Sequence, residues 1–262
     1  MQHGPLRNAY LEVLGIDRWV PRNAPADVPA EPALAPRGDA PVQVAAASAR
    51  QASPIQAPAA RAPQPAPVAP LEPGIEWGPL RERVASCTAC ELCKTRTQTV
   101  FGVGNERADW LIIGEAPGAE EDRQGEPFVG RAGQLLNAML QAIGLPRDTV
   151  FIANILKCRP PGNRDPRPEE VARCLPFLHA QIALLKPKII LAVGRIAAQN
   201  LLATDAPLAR LRGKLHAFGA ANTPLVITYH PAYLLRTPAD KRKAWEDLKF
   251  ARATYHKLAG VN

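Results

Sequence analysis

Four apolar runs of strand length constrain the fold of this 262-residue chain more than any other feature. The runs are nearly continuous in hydrophobic residues rather than alternating, which is typical of strands buried on both faces of a parallel sheet. Helix-like segments lie between them, so strand and helix alternate along the chain. The runs are Asp109–Gly114, Val150–Ile155, Lys188–Val193 and Pro224–Tyr229.

The segments between these runs predict helices. Residues 131–144 show helical periodicity and end at a glycine, and residues 168–186 begin with a proline and two acidic residues, a common helix start. Two more helices are predicted at residues 195–203 and 238–258. The alternation predicts an α/β fold, a three-layer α/β/α sandwich around a central four-stranded parallel sheet with right-handed crossovers.

The N-terminal part of the chain differs in composition from the rest. Proline and alanine fill more than half of residues 23–75, which predicts a disordered Pro/Ala-rich linker with little surface to bury. Residues 1–22 precede it, and residues 6–22 resemble a short amphipathic helix, which predicts a docking peptide for a protein partner. The alternative is a helix packed on the folded domain, which we place at residues 76–262.

The net charge of +8 is unevenly distributed. Residues 1–75 carry equal numbers of basic and acidic side chains, so the whole excess lies in residues 76–262. A basic domain suits a polyanionic partner, although an ordinary basic surface explains the charge equally well. No apolar run reaches transmembrane length and no signal peptide is visible, so we expect a cytoplasmic monomer without membrane contact.

Four of the five cysteines have a spacing typical of metal ligands. Cys87 and Cys90 form a close pair, and Cys158 and Cys174 lie far downstream at the two ends of a loop. In a reducing compartment such a layout indicates a metal site rather than a disulfide framework. The spacing alone permits zinc or an iron–sulfur cluster, and Cys93 extends the first pair into a ferredoxin-like run.

Polar residues follow each of the four predicted strands. Glu115 comes directly after the first, Asn154 lies in the second, Arg195 follows the third and His230 follows the fourth. Because ligands bind beyond the carboxyl ends of the strands in an open parallel sheet, these side chains should converge on one rim. Each residue alone has an ordinary structural explanation, but together they predict a hydrolytic site.

Six sequence blocks, in this order, resemble the family 4 uracil-DNA glycosylases, the iron–sulfur branch of that superfamily. The resemblance spans residues 87–236 and leaves the N-terminal 75 residues outside. The blocks are Cys87 with Cys90, Val100–Gly104, Gly114–Gly118 with its acidic continuation, Pro127–Gly130, Asn154 with Lys157–Pro161, and His230–Leu235.

The resemblance implies roles for the residues that would hold the base. A glycosylase extrudes the uridine from the helix and releases uracil as an anion. The amide of Asn154 would read uracil at O4 and N3, and His230 would donate a hydrogen bond to O2 as negative charge grows there. Phe128 would stack on the extruded ring.

The resemblance also implies how water is placed and how other bases are excluded. Glu115 would position the attacking water, since this chain has Ala116 where the better-known family 1 enzymes carry an aspartate. The small residues Ala116 and Gly118 would let the backbone approach the base closely. Glu121 would lie near C5 and help to exclude the methyl group of thymine.

The DNA-contacting residues and metal ligands follow from the same resemblance. Leu234 and Leu235 would insert into the gap left by the extruded base, while Arg236 and Arg164 would contact phosphates. A structural [4Fe–4S] cluster would leave Cys93 as a free thiol. Its implied ligands are Cys87, Cys90, Cys158 and Cys174.

The leading functional prediction is a DNA-repair glycosylase that hydrolyses the N-glycosidic bond of deoxyuridine in uracil-containing DNA and leaves an abasic site. The alternative is a non-catalytic iron–sulfur module that binds DNA or a polymerase. A third possibility, covalent attachment to the abasic sugar through a histidine, is set aside because Cys158–Asp165 contains no histidine.

Overall fold

The computed structural model describes residues 74–260, so the predicted docking segment and nearly all of the predicted linker lie outside the described residues. The strands are β1 (Val103–Gly104), β2 (Trp110–Gly114), β3 (Phe151–Asn154), β4 (Ile189–Val193), β5 (His216–Phe218) and β6 (Thr223–Thr228). The α-helices are α1 (Trp77–Ala85), α2 (Ala119–Gln124), α3 (Arg131–Ala142), α4 (Pro168–Leu185), α5 (Arg195–Leu202), α6 (Leu208–Leu211), α7 (Pro231–Arg236) and α8 (Lys241–Ala259).

The strands form one mixed sheet in the order β1-β3-β2-β4-β6-β5. The inner strands β3, β2, β4 and β6 pair in parallel and correspond to the four apolar runs. The outer strands β1 and β5 pair antiparallel to β3 and β6. The described sheet therefore has six strands, and the predicted number of four was wrong.

The two edge strands escaped prediction because they are too short to show a hydrophobic period. β1 has two residues, and β5 has three residues that are partly or fully exposed. Backbone geometry also requires glycine at the second position of β1. Gly104 has a φ of +120°, and a Cβ there would lie 1.9 Å from the carbonyl oxygen of Val150.

Side chains of the inner strands alternate between two hydrophobic cores, one on each face of the sheet. In β2, Leu111 and Ile113 belong to the core that includes residues of α1, α4 and α5. Trp110 and Ile112 belong to the other core, which includes residues of α3, α7 and α8. Helices thus cover both faces, which explains why the inner strands read as continuous apolar runs.

The longer helices match the sequence prediction closely. Expected spans of 131–144, 168–186 and 195–203 correspond to α3, α4 and α5, and the last expected helix corresponds to a 3₁₀ turn at Pro238–Asp240 followed by α8. Sequence analysis missed α1 and the short helices α2, α6 and α7. Among residues 74–260, no helix is both long and apolar enough to cross a membrane.

Candidate active site

A cleft of about 790 Å³ opens at the carboxyl ends of the parallel strands. Its walls come from the segments that follow β2, β3, β4 and β6, as the strand order requires. The structure thus brings together the four residues predicted to converge on this rim. The predicted site residues among its lining are Glu115, Ala116, Gly118, Glu121, Phe128, Asn154, Arg164, Arg195, His230 and Arg236.

Glu115 directly follows the carboxyl end of β2 and is held there by backbone hydrogen bonds that continue past the strand. The amide of Leu156 donates to the carbonyl of Glu115 over 3.0 Å. Burial raises the pKa of the Glu115 carboxyl to about 7, with Asp165 adding to the shift and Arg195 opposing it. Arg195 and Asp165 form an ion pair at 2.6 Å, so their opposite charges largely offset one another. A carboxyl with this pKa can accept a proton near neutral pH.

Asn154 is the last residue of β3, and its side chain is 2% exposed. Its Oδ1 has no hydrogen-bond partner among the described residues. A buried polar atom without a partner is costly in free energy, and such atoms cluster where a ligand supplies the missing group. The register aligns Asn154 with Gly114, where a Cβ would lie 2.4 Å from Oδ1.

His230 is the N-cap residue of α7, and its Nδ1 accepts a hydrogen bond from the amide of Ala232 at 3.2 Å. Burial lowers the pKa of the His230 imidazole to about 4, Arg236 adds to this shift and Glu121 opposes it. The ring is therefore neutral at pH 7. Because Nδ1 accepts, the single ring proton lies on Nε2, which makes Nε2 a donor.

Phe128 lies beside both of these residues, with its ring centroid 5.6 Å from that of His230. Its backbone is left-handed, with a φ of +55°, an arrangement that costs about 1–3 kcal/mol outside glycine. Two glycines make room for it. A Cβ on Gly114 would lie 2.6 Å from the Phe128 ring, and a Cβ on Gly133 would lie 1.8 Å from the Phe128 carbonyl oxygen.

Glu121 fixes two loops of the cleft through its carboxylate. Oε2 accepts from the amide of Gly118 at 3.1 Å, and Oε1 accepts from the amides of Val129 and Gly130 at 3.0 and 3.1 Å. Both oxygens are therefore occupied by main-chain donors. The turn that carries Phe128 is thus tied to the loop that carries Ala116 and Gly118.

Arg147 is a residue of this site that sequence analysis missed. It follows α3 in a 3₁₀ turn, and its guanidinium donates to the carbonyl oxygens of Pro127 at 2.6 Å and Phe128 at 3.4 Å. A third bond reaches Asn137 Oδ1 at 3.0 Å. Arg147 thus donates to two carbonyls of the strained turn, while Glu121 accepts from two amides of the same turn. No local motif marks this role, because Arg147 is distant in sequence from the turn.

The predicted DNA-contacting residues divide into two groups. Leu235 is 37% exposed and Arg236 is exposed at the cleft rim, as expected of residues that contact DNA. Leu234, however, is 1% exposed and packs in the core with α3 and α8, so the prediction that it inserts into DNA was wrong. The guanidinium of Arg164 forms two hydrogen bonds with the carboxylate of Glu170, at 2.9 and 2.5 Å. Arg164 therefore orders its loop as well as lining the cleft.

The four predicted ligand cysteines lie in or against one hydrophobic core cluster, which also includes residues of α1 and α4. Cys158 and Cys174 are buried, and Cys87 and Cys90 pack against the same cluster. Two of the sulfur atoms accept hydrogen bonds. The Lys157 amide donates to Cys174 Sγ at 3.1 Å, and the Arg96 guanidinium donates to Cys158 Sγ at 3.0 Å.

Burial raises the pKa of Cys158 to about 11 and that of Cys174 to about 12, so metal binding would release their protons. Within residues 74–260, no group of three or more His, Cys, Asp and Glu side chains is arranged to hold a single metal ion.

Comparison with known proteins identifies relatives of the described domain. The family model of the uracil DNA glycosylase superfamily matches residues 101–249. The type-4 uracil-DNA glycosylase of Archaeoglobus fulgidus is 45% identical over 172 residues, which are 63% of this chain and 86% of that protein. The type-4 enzyme of Pyrobaculum aerophilum is 45% identical over 175 residues, 64% of this chain and 89% of its own. That of Thermotoga maritima is 42% identical over 176 residues, 66% and 91% of the two chains.

Replacing Arg147 by leucine should loosen the turn around Phe128. The substitution removes three hydrogen bonds and leaves the carbonyls of Pro127 and Phe128 without their donor, a loss of about 1–3 kcal/mol. Amide hydrogen exchange at Val129 and Gly130 should accelerate roughly fivefold or more. Arg131→Leu, at an exposed position that lines the cleft, is the control and should leave this exchange unchanged. Equal protection in both variants would contradict the role of Arg147.

Proposed function

This chain belongs to the uracil DNA glycosylase superfamily, as a type-4 uracil-DNA glycosylase that excises uracil in DNA repair, and we propose that Glu115, Asn154 and His230 carry the reaction. The enzyme hydrolyses the N-glycosidic bond of deoxyuridine and leaves an abasic site. The alternative of a non-catalytic DNA- or polymerase-binding module is therefore not retained. The observation that carries the assignment of residues is the buried Asn154 Oδ1 without a partner in the described part of the chain.

Asn154 reads the base. Uracil offers an N3–H donor and an O4 acceptor, so Oδ1 of Asn154 accepts from N3 while Nδ2 donates to O4. Cytosine presents the reverse arrangement, an acceptor at N3 and a donor at C4, and would leave the amide mismatched. A buried group left unpaired by the wrong ligand is a strong source of discrimination.

His230 stabilises the leaving base. As the bond between N1 and C1′ breaks, its electron pair moves onto the uracil ring and negative charge grows on O2. The neutral imidazole donates from Nε2, since its Nδ1 already accepts from the Ala232 amide. This donor is in place before the reaction and needs no reorganisation. Phe128 stacks on the ring and keeps O2 within reach of Nε2.

Glu115 orients the attacking water. The oxygen of the water forms a bond to C1′ from the side opposite the base, and one proton of the water passes to the carboxylate. The carboxylate also faces the sugar as positive charge develops there. Support comes from the partial burial of Glu115 at the cleft and from its pKa of about 7, which allows it to act as a base near neutral pH.

The remaining site residues shape the pocket and contact DNA. Glu121 restricts space near C5, where thymine carries its methyl group, by holding the Gly118 loop against the Phe128 turn. Ala116 and Gly118 allow close backbone approach to the base. We assign insertion into the gap left by the extruded base to Leu235 alone. Arg236 and Arg164 contact phosphates.

We propose that Cys87, Cys90, Cys158 and Cys174 hold a [4Fe–4S] cluster that stabilises the fold. The donor set fits, because thiolates bind iron–sulfur clusters and the hydrogen bonds from Lys157 and Arg96 stabilise charge on sulfur. Hydrolysis transfers no electron, so the cluster supplies structure rather than redox chemistry.

The domain boundaries and the segments outside the described residues carry further proposals. Residues 6–22 would bind a protein partner, with residues 23–75 as a tether that raises its local concentration near DNA. Residues 76–262 would form the glycosylase domain. We also propose that the protein acts as a monomer in the cytoplasm.

Asn154→Asp should weaken uracil excision, because a carboxylate cannot donate to O4. Loss of a buried donor costs about 1–3 kcal/mol, so kcat/KM on a uracil-containing oligonucleotide should fall roughly ten- to a hundredfold. Asn163→Asp makes the same chemical change at an exposed position of the same cleft and should have little effect. Similar rates for both variants would remove Asn154 from base recognition.

The acid limb of the pH profile should report Glu115. Only the ionised carboxylate accepts a proton, so kcat/KM should rise with pH through a midpoint near 7, and Glu115→Gln should slow the reaction and abolish this limb. Asp165→Asn removes a charge that raises the pKa of Glu115, so the midpoint should move to lower pH. Arg195→Gln removes the opposing charge and should move it to higher pH. A midpoint unchanged in both neighbours' variants would contradict the assignment.

Iron content should distinguish the four proposed ligands from Cys93. Protein purified without oxygen should contain about four irons per chain and absorb broadly near 400 nm. Cys174→Ser should lose this absorption, whereas Cys93→Ser should retain it. Stoichiometric zinc in place of iron would contradict the cluster, and the opposite mutant result would make Cys93 the fourth ligand.

A further inference from the structure

Lys157 is a buried lysine whose polar groups are all engaged within the protein. Its side chain is 1% exposed. The Nζ donates to the backbone carbonyl of Asn154 at 3.0 Å and to Gln181 Oε1 at 2.6 Å. Its own carbonyl accepts from the amide of Val100 at 2.7 Å, and its amide donates to Cys174 Sγ at 3.1 Å. Burying an ammonium group is costly, so a lysine here indicates a specific task.

Gln181 connects this lysine to the rest of the domain. It lies in α4, is fully buried, and donates from Nε2 to the carbonyl of Phe101 at 2.9 Å. The same helix carries Cys174, which the Lys157 amide contacts. The end of β3 is therefore tied through Lys157 to α4 at two points.

The position of the Asn154 amide depends strongly on its backbone. Oδ1 has no hydrogen-bond partner among the described residues, so no hydrogen bond to this oxygen from that part of the chain fixes the orientation of the amide. Asn154 is the last residue of β3, and the amides of the next two residues, Ile155 and Leu156, donate to the carbonyls of Gly114 and Glu115 at 3.0 Å. The bond from Lys157 Nζ to the Asn154 carbonyl restrains the residue at this point.

We propose that Lys157 is a positioning residue for base recognition, which sets the direction of the Asn154 amide by anchoring the Asn154 carbonyl to helix α4 through Gln181. This inference rests on the proposed role of Asn154 in reading uracil. Lys157 itself does not line the cleft, so its effect on the base is indirect, through Asn154. Its loss should therefore affect recognition of the base and leave recognition of the DNA backbone intact.

The test measures two affinities of the full-length protein separately. Free uracil, as a competitive inhibitor of excision, reports on the base pocket, and an oligonucleotide with a tetrahydrofuran abasic-site analogue reports on contacts to DNA. Lys157→Met keeps the length of the side chain and removes the donor. It should raise the inhibition constant of uracil roughly tenfold and change the affinity for the abasic oligonucleotide less than about twofold. Absorption near 400 nm should match that of the unaltered protein.

Two variants of Gln181 provide a matched pair that also decides the matter if Lys157→Met does not fold. Gln181→Glu keeps the acceptor for Lys157 Nζ and loses the donor to Phe101, whereas Gln181→Leu loses both. Gln181→Leu should weaken uracil binding several-fold, and Gln181→Glu should retain it. Equal losses in the two variants would assign the effect to the Phe101 contact and overturn the proposal.

Asn154→Ala separates failure of this inference from failure of the proposed function. If Asn154→Ala leaves uracil inhibition unchanged, Asn154 does not read the base and the proposed function of this residue fails. If Asn154→Ala weakens inhibition but Lys157→Met does not, only the positioning role of Lys157 is overturned. Equal loss of uracil and abasic-oligonucleotide affinity in Lys157→Met would likewise overturn it, because the effect would then be general.

Discussion

The parallel pairing of β2 with β3 is the constraint on which the rest of the site depends. Its register sets Gly114 opposite Asn154, so the loop that carries Glu115 starts beside the buried amide. Gly114 has no side chain, and the space of the missing Cβ is shared by Asn154 Oδ1 and the Phe128 ring. A methyl group there would displace both. Glu115 and Asn154, which we propose to orient water and to read the base, are thus placed by one pair of strands.

Around these two strands, three partly buried polar side chains hydrogen-bond to the backbone of the cleft loops. Glu121 accepts from three amides, Arg147 donates to two carbonyls, and His230 Nδ1 accepts from an amide. These bonds link the loops to the side chains around them, whereas Asn154 Oδ1 has no donor in the described part of the chain. Groups fixed in advance at the positions where a ligand needs them lose little entropy on binding, which is how a preorganised site gains rate and selectivity.

Sequence analysis located the inner strands and the rim residues because both follow from local patterns: continuous apolar runs, and polar residues directly after them. It could not locate Arg147, whose partners lie about twenty residues earlier across a helix and a turn. It misjudged Leu234 because helix α7 was not predicted. Pro231 at the first helical position was the available signal, and a helix from there turns Leu234 into the core while Leu235 faces outward.

Burial acts on Glu115 and His230 in the same physical direction, since it disfavours the charged form of each. The consequences for the reaction differ. In the reaction that we propose, a neutral imidazole donates from Nε2 without placing a positive charge beside a base that is neutral in the ground state, so its hydrogen bond strengthens only as uracil becomes an anion. Asp165 and Arg195 lie near the Glu115 carboxyl and carry opposite charges, so their effects on its pKa oppose each other. Burial is therefore the main influence on this pKa. With the roles that we propose, one cleft supplies a proton acceptor on the sugar side and a neutral donor on the base side at the same pH.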